Sequence, residues 1–186
     1  MSLKRHLKMS LAATAICLLM SVSLSSFAFE DMLAENRYLS IYSAQNHVDL
    51  IQDGYLNQAE ISQYGYSNNL QAEQYGENNQ LKTFQSGASN DLYALQSGYG
   101  NQITANQYGY QNELELSQQD VENSIYAVQA GALNYANVTQ SGYDNLAIVQ
   151  QYGYGNSVTI EQYGTGHQAA VTQFGHNQTA IVMQYW

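Results

Sequence analysis

From Val48 onward the chain alternates apolar and polar residues in short bursts, and the bursts recur with one phase. Two apolar positions, separated by a polar one, precede a Gln: Leu114 and Leu116 before Gln118, Val158 and Ile160 before Gln162. This is the period of a strand with one buried face, and it places both apolar residues and the Gln on that face. The opposite face is mostly polar early on (Asp49, Glu60, Gln71, Lys82) and more apolar in places, at Tyr93, Tyr126, Ile148 and Ile181.

The bursts form an internal repeat. Gln stands at 52, 63, 74, 85, 96, 107, 118, 129, 140, 151, 162, 173 and 184, always eleven residues apart. By residue these are Gln52, Gln63, Gln74, Gln85, Gln96, Gln107, Gln118, Gln129, Gln140, Gln151, Gln162, Gln173 and Gln184. Two residues later come Gly54, Gly65, Gly76, Gly87, Gly98, Gly109, Gly131, Gly142, Gly153, Gly164 and Gly175, with Asp120 once in their place and Trp186 closing the series. Five residues after Gln come Asn57, Asn68, Asn79, Asn90, Asn101, Asn112, Asn123, Asn134, Asn145 and Asn156, then His167 and Gln178. Each unit is expected to be a strand of about five to seven residues followed by a Gly-x-x-Asn turn, since Gly takes positive φ and Asn tolerates the left-handed region.

One such unit has too narrow an apolar face to stand alone. Two units make a flattened coil, and coils stacked at about 4.8 Å give two parallel sheets around a thin core. The expected fold is an all-β parallel β-solenoid of 22-residue coils, cross-β when assembled. Thirteen units give six and a half coils, a stack of roughly 30 Å. The odd-numbered units then place their Gln in one column and the even-numbered units in another. Each amide can donate to one neighbour and accept from the other, and a buried amide without such partners costs about 1–3 kcal/mol. The rival, an antiparallel meander, leaves identical amides without aligned partners. Gln/Asn-rich, Pro-free tracts are also prone to disorder and aggregation, but disorder needs no fixed phase; before assembly a disordered chain is credible.

Composition changes the picture at the N-terminus. Lys4, Arg5 and Lys8 precede an apolar run, Leu11–Leu24, and Ser26-Phe27-Ala28 offers small residues at a cleavage site. Residues 1–28 are therefore expected to be a secretory signal peptide; the run is too short for a membrane span. Cleavage would remove three of the five basic residues and Cys17, the sole cysteine, leaving Arg37 and Lys82 against 15 acids. No disulfide then stabilises the exported chain, and no basic footprint for nucleic acid remains. Residues 29–47 do not fit the repeat and are expected to be a flexible leader, with one poor strand at Leu39–Ser43 as the alternative. The repeat, residues 48–186, makes the third region.

Candidate chemistry is sparse. The acids fall in no single eleven-residue column, and Glu113 with Glu115 reads as a solvated strand edge. No activated nucleophile is indicated, so the chain is expected not to be an enzyme. His167 and His176 fall in successive turns on opposite edges and read as replacements of Asn rather than metal ligands. Gly98-Tyr99-Gly100 and Gly153-Tyr154-Gly155 are not followed by a helix and are no phosphate loops. Asn137-Val138-Thr139 is a chance glycosylation match. Thr83, Thr104, Thr139, Thr159, Thr172 and Thr179 form no flat array of the kind that binds ice. No cofactor is expected. Tyr55, Tyr99 and Tyr143, like Tyr66, Tyr110 and Tyr154, mark alternate coils. Duplication history and edge solubility suffice for that spacing; contact with a matrix or host surface is the functional alternative.

An open solenoid exposes unpaired strand groups at both ends, and such edges are usually blunted by Pro or charge. Here Met183-Gln184-Tyr185-Trp186 carries neither, so end-to-end stacking into a fibre is expected. The Gln-x4-Asn-x5-Gln spacing, with Gln96–Asn101 and Gln151–Asn156 as full Gln-x-Gly-x-Gly-Asn motifs, resembles the curlin repeat over residues 48–184. The resemblance implies an extracellular curli-type amyloid fibre of the biofilm matrix, exported through a dedicated pore with chaperones, whose partners are other curlin subunits. Ala169–Gln184 and the absence of a Gly-rich leader look more like the minor, nucleating subunit than the major one. The chain departs from that minor subunit in having more repeats and no basic C-terminal end.

Overall fold

The computed structural model describes residues 5–10, 36–42 and 45–186. The rest of the expected signal segment (1–4, 11–28) and of the leader (29–35, 43–44) lies outside the described residues. Fifteen strands follow in order: β1 (Arg5–Ser10), β2 (Asn36–Tyr42), β3 (His47–Tyr55), β4 (Gln58–Tyr66), β5 (Asn69–Glu77), β6 (Gln80–Ala88), β7 (Asp91–Tyr99) and β8 (Gln102–Tyr110); then β9 (Glu113–Val121), β10 (Ser124–Ala132), β11 (Tyr135–Tyr143), β12 (Leu146–Tyr154), β13 (Ser157–Thr165), β14 (Gln168–His176) and β15 (Thr179–Tyr185). The odd strands make one sheet and the even strands the other, each ordered along the chain. From β2 to β15 every pairing is parallel, with Gln on Gln and Gly on Gly wherever both occur, as in Gln107↔Gln129 and Gly109↔Gly131. The parallel β-solenoid is therefore the fold, and the antiparallel meander is not.

β1 differs. It lies antiparallel on the outer edge of β3, with Arg5 opposite Gln52 and Ser10 opposite His47. β2, within the leader, pairs parallel with β4 in the register of the repeat: position 39 opposite Ile61, position 41 opposite Gln63. It begins three residues before the strand weighed for this region and supplies the half-coil that thirteen units lack.

Two local expectations are corrected. The strands run nine residues, as in Gln102–Tyr110, not five to seven, because they continue through the Gly. The turn is two residues rather than Gly-x-x-Asn. Its first residue is left-handed, with φ near +55 at Ser67, Leu133 and Asp144; the second belongs to the Asn column and is buried. The backbone ladder continues round this corner, since the left-handed residue donates to the coil before, as from Leu133 N to Tyr110 O at 3.0 Å. Gly serves another purpose. At Gly131 a Cβ would sit 1.9 Å from the carbonyl oxygen of Gly153 in the next coil, and φ is +125. Only a residue without a side chain lets the coils approach so closely there.

The core is a thin double layer in which each sheet contributes two apolar rows and one Gln row. Leu50, Leu70, Leu92, Leu114, Leu116 and Ile160 are all at 1% exposure or less. Burying a side chain of this size stabilises by about 1.5–3 kcal/mol. One position breaks the row: Thr83 is buried between Ile61 and Ala105, and its Oγ1 has no hydrogen-bond partner. A buried hydroxyl without a partner costs about 1–3 kcal/mol. Thr83→Val keeps the shape and removes the orphan, so it should stabilise the folded chain by about 1 kcal/mol. A denaturant midpoint that stays put or falls would contradict this.

Candidate functional site

The repeated amides meet in columns. In the odd sheet Gln52 Nε2 donates to Gln74 Oε1 at 2.7 Å, and the chain of bonds continues through Gln96, Gln118, Gln140 and Gln162 to Gln184. In the even sheet Gln63, Gln85, Gln107, Gln129, Gln151 and Gln173 do the same at 2.6–3.1 Å. Every bond spans 22 residues, and every donor points toward the C-terminal end. The second N–H is used as well. Gln107 Nε2 donates to Asp91 O at 2.8 Å and Gln129 Nε2 to Glu113 O at 2.8 Å, at the start of the preceding strand in the other sheet. Odd-sheet amides do the same at the opposite edge, as from Gln96 Nε2 to Gln80 O at 2.9 Å, so the amides stack the coils and fasten the two sheets along both margins.

Asn forms the ladder at the corners. Each takes its predecessor's side-chain oxygen twice: Asn112 N and Nδ2 both donate to Asn90 Oδ1, at 3.1 and 3.0 Å. Nδ2 also donates to the Gly carbonyl of the following coil, as from Asn112 to Gly131 O at 3.1 Å. The column therefore fixes the turn and holds the close-approach Gly in place. The sequence placed Asn in the left-handed position; the structure puts it one residue later, where its side chain faces inward. Sequence reading missed Asn46, which is buried and whose Oδ1 accepts from Asn68 N at 3.0 Å. It lies five residues after position 41, where Ile stands in place of the Gln used to find the period. At the other end His167 N and Gln178 N still donate to Asn145 and Asn156.

The columns end unequally. Gln63 Oε1 is buried and has no donor, because position 41 opposite it is Ile. At the far end β14 and β15 are each paired on one side only, and Phe174, Ile181, Met183 and Trp186 are largely exposed. The interruption in the Gly column is Asp120, at φ +74; its Oδ2 accepts from Ser141 Oγ at 2.9 Å and from Gly142 N at 3.0 Å.

The other candidates are placed plainly. His167 Nε2 lies 3.2 Å from Tyr163 O, and His176 tilts against the Tyr154 ring; among the described residues no three His, Cys, Asp or Glu converge as metal ligands. Glu115 Oε2 accepts from Tyr135 OH at 3.0 Å and from Asn137 Nδ2 at 2.7 Å. Burial first, then the charges of Glu115 and Asp91, hold the Glu113 carboxyl above its ordinary value of 4.5. Glu73 accepts from Tyr75 OH at 2.8 Å and pushes that phenol up to about 12.

The geometry defines a class: a two-sheet parallel solenoid whose repeated side chains stack coil on coil. Within it, residues 45–76, 131–164, 142–175 and 153–185 match the curlin associated repeat. The matched segments lie at both ends of the stack. No curated protein and no solved structure matches it.

Two expectations follow. Gln107→Leu removes two ladder bonds and one cross-sheet bond, leaving a buried donor on Gln85 and an acceptor on Gln129 short of their ladder partner. A loss of about 2–4 kcal/mol is expected in denaturant titration; a loss under about 0.5 kcal/mol would show that the ladder is incidental. A carboxyl whose folded pKa is raised contributes most below its unfolded pKa, and that contribution is lost as pH rises through the folded value. Glu113→Gln should therefore be more stable than the parent at neutral pH, the gap closing on acidification below the ordinary value of 4.5. A gap that widens with acid would reverse the sign.

Proposed function

We propose that the chain is a structural subunit of extracellular curli-type amyloid fibres, and that it acts as the minor subunit that starts their growth at the cell surface. The observation that carries the fibre reading is the polarity of the Gln columns. Every Gln donor faces the C-terminal end, where Gln173 and Gln184 close the even and odd columns. Subunits adding head to tail continue both sheets and bring Gln52 of one subunit opposite Gln184 of its neighbour, which extends the odd Gln column. The curlin associated repeats support the same assembly.

A nucleus is costly because the first coil orders its residues before any ladder bond exists, whereas each further coil finds its template waiting. A chain already carrying six coils and more supplies that template. The resemblance of Ala169–Gln184 to the minor subunit and the absence of a Gly-rich leader support the nucleating role. Residues 1–28 serve as the export signal in this reading, and cleavage there carries β1 away and frees the outer edge of β3 for a neighbour. A dedicated secretion pore and chaperones keep the chain unfolded until it reaches the surface, and a matrix or host surface is a further partner. No catalytic step is assigned.

Residues 29–186, diluted from denaturant, should grow with a lag that sonicated seeds abolish, giving diffraction near 4.8 Å and 10 Å. A soluble monomer indifferent to seeds would sink the fibre reading. Added at a small molar fraction to a curlin homologue, the chain should remove that homologue's lag. Co-assembly with the lag unchanged would point instead to the major subunit.

A further inference from the structure

Strand parity sorts the charges. On strands β3–β15 the odd sheet carries nine carboxylates, among them Asp49, Asp53, Glu73, Glu77, Glu113 and Glu115, and no Lys or Arg. The turns after β9 and β11 add Glu122 and Asp144 on the same margin. The even sheet carries one carboxylate, Glu60, and one ammonium, Lys82, which neutralise each other at 2.9 Å. An eleven-residue search cannot see this, because neighbouring units alternate between sheets. The crowding is physical: the tyrosines whose pKa rises, Tyr75, Tyr93, Tyr135, Tyr143 and Tyr185, all stand on odd strands, raised by carboxylates or by burial.

The outer face of the even sheet is different in kind. Tyr64, Phe84 and Tyr108 pack along it as tilted rings at 5.3 and 5.4 Å, and Tyr152 stacks on Phe174 at 5.0 Å. Tyr126 and Ile148 share another of its columns. From Gln102 through Gly175 the even strands hold no charged side chain.

We propose that this uncharged face is the surface through which a second copy of the solenoid docks, so that fibres pair face to face through their even sheets and expose their acidic odd sheets on both outer sides. The pairing rests on the end-to-end reading given above. β2 supplies the even half of the first coil and β15 the odd half of the last. Stacked subunits therefore add whole coils, and every even face falls on the same side of the fibre. A half-integral number of coils would alternate the faces and break the stripe.

Two arguments select a second copy as the occupant. Odd faces brought together repel, as do the turn margins that carry Glu122 and Asp144, whereas two even faces meet without net charge. The area also suffices. Six even strands of nine residues, at about 4.8 Å by 3.3 Å each, present roughly 850 Å² per copy, so one subunit pair buries about 1,700 Å², the size of a specific interface. Pairing is self-limiting, because the outer surfaces of a pair are both acidic.

The test is mass per unit length of fibres grown at neutral pH and low salt, measured by scanning transmission electron microscopy. Wild-type fibres should carry two solenoids across their width. Ile148→Glu, which puts a carboxylate in every even face, should halve the mass per length, and Tyr126→Glu should repeat the result should the first variant fold poorly. Thr159→Glu, on the odd face, should leave the pair intact. Wild-type fibres one solenoid wide, or pairs that survive Ile148→Glu but not Thr159→Glu, would overturn the proposal while leaving the end-to-end reading standing. Single fibres that instead bind insoluble glucan through this face would assign it to a polysaccharide and overturn self-pairing. Absence of fibres altogether would sink the end-to-end reading and this one with it.

Discussion

A primary amide shut inside a sheet-thin core has two hydrogens and two lone pairs to satisfy, and the apolar rows beside it offer nothing. Another Gln at the same height in the next coil offers both a donor and an acceptor, at 2.6–3.1 Å here. That solution works only if successive coils keep identical register, because a slip of one residue turns the amide to the outer face and brings a polar residue in. The columns of Gln therefore set the 22-residue coil, and the remaining features serve it. The Asn column holds the corners, and Gly permits the approach that the amide spacing demands. The apolar rows supply driving force without specifying register, since Ala, Val, Leu and Ile interchange freely along them.

A structure held by contacts to the coil above and below has no natural end. Its interior amides bond to the coils on both sides, while Gln173 and Gln184 close the two columns at the C-terminal end. In the proposed fibre, growth is the same reaction as folding, carried from one chain to the next. The direction of the donors makes the two ends chemically distinct, so subunits add in one orientation.

Much of this is legible in the sequence because the constraint is periodic. Gln107 and Gln129 announce their pairing by spacing alone, and Leu114 and Leu116 announce their face by alternation. What is harder to read depends on geometry that spacing does not carry. Gly131 looks like a turn residue, yet its role is set by a carbonyl in the next coil. Asn112 looks left-handed, yet Gln111 before it takes that conformation, at φ +51. Asn46 escapes notice because Ile41 interrupts the Gln column that defines the phase. The carboxylates look scattered until alternate units are assigned to different sheets, after which Glu73, Glu113 and Glu161 share one face and Glu60 stands across from them with Lys82.

The central claim is that amides 22 residues apart are bonded to each other in the assembled protein. Solid-state NMR on fibres with labelled glutamine reports it directly, through transfer between the side-chain nitrogen of one Gln and the side-chain carbonyl carbon of the next. Cross-peaks linking Gln129 to Gln107 and Gln151, and none linking it to Gln118 or Gln140, are the predicted result. Contacts between Gln129 and Gln118, eleven residues away, would contradict the account.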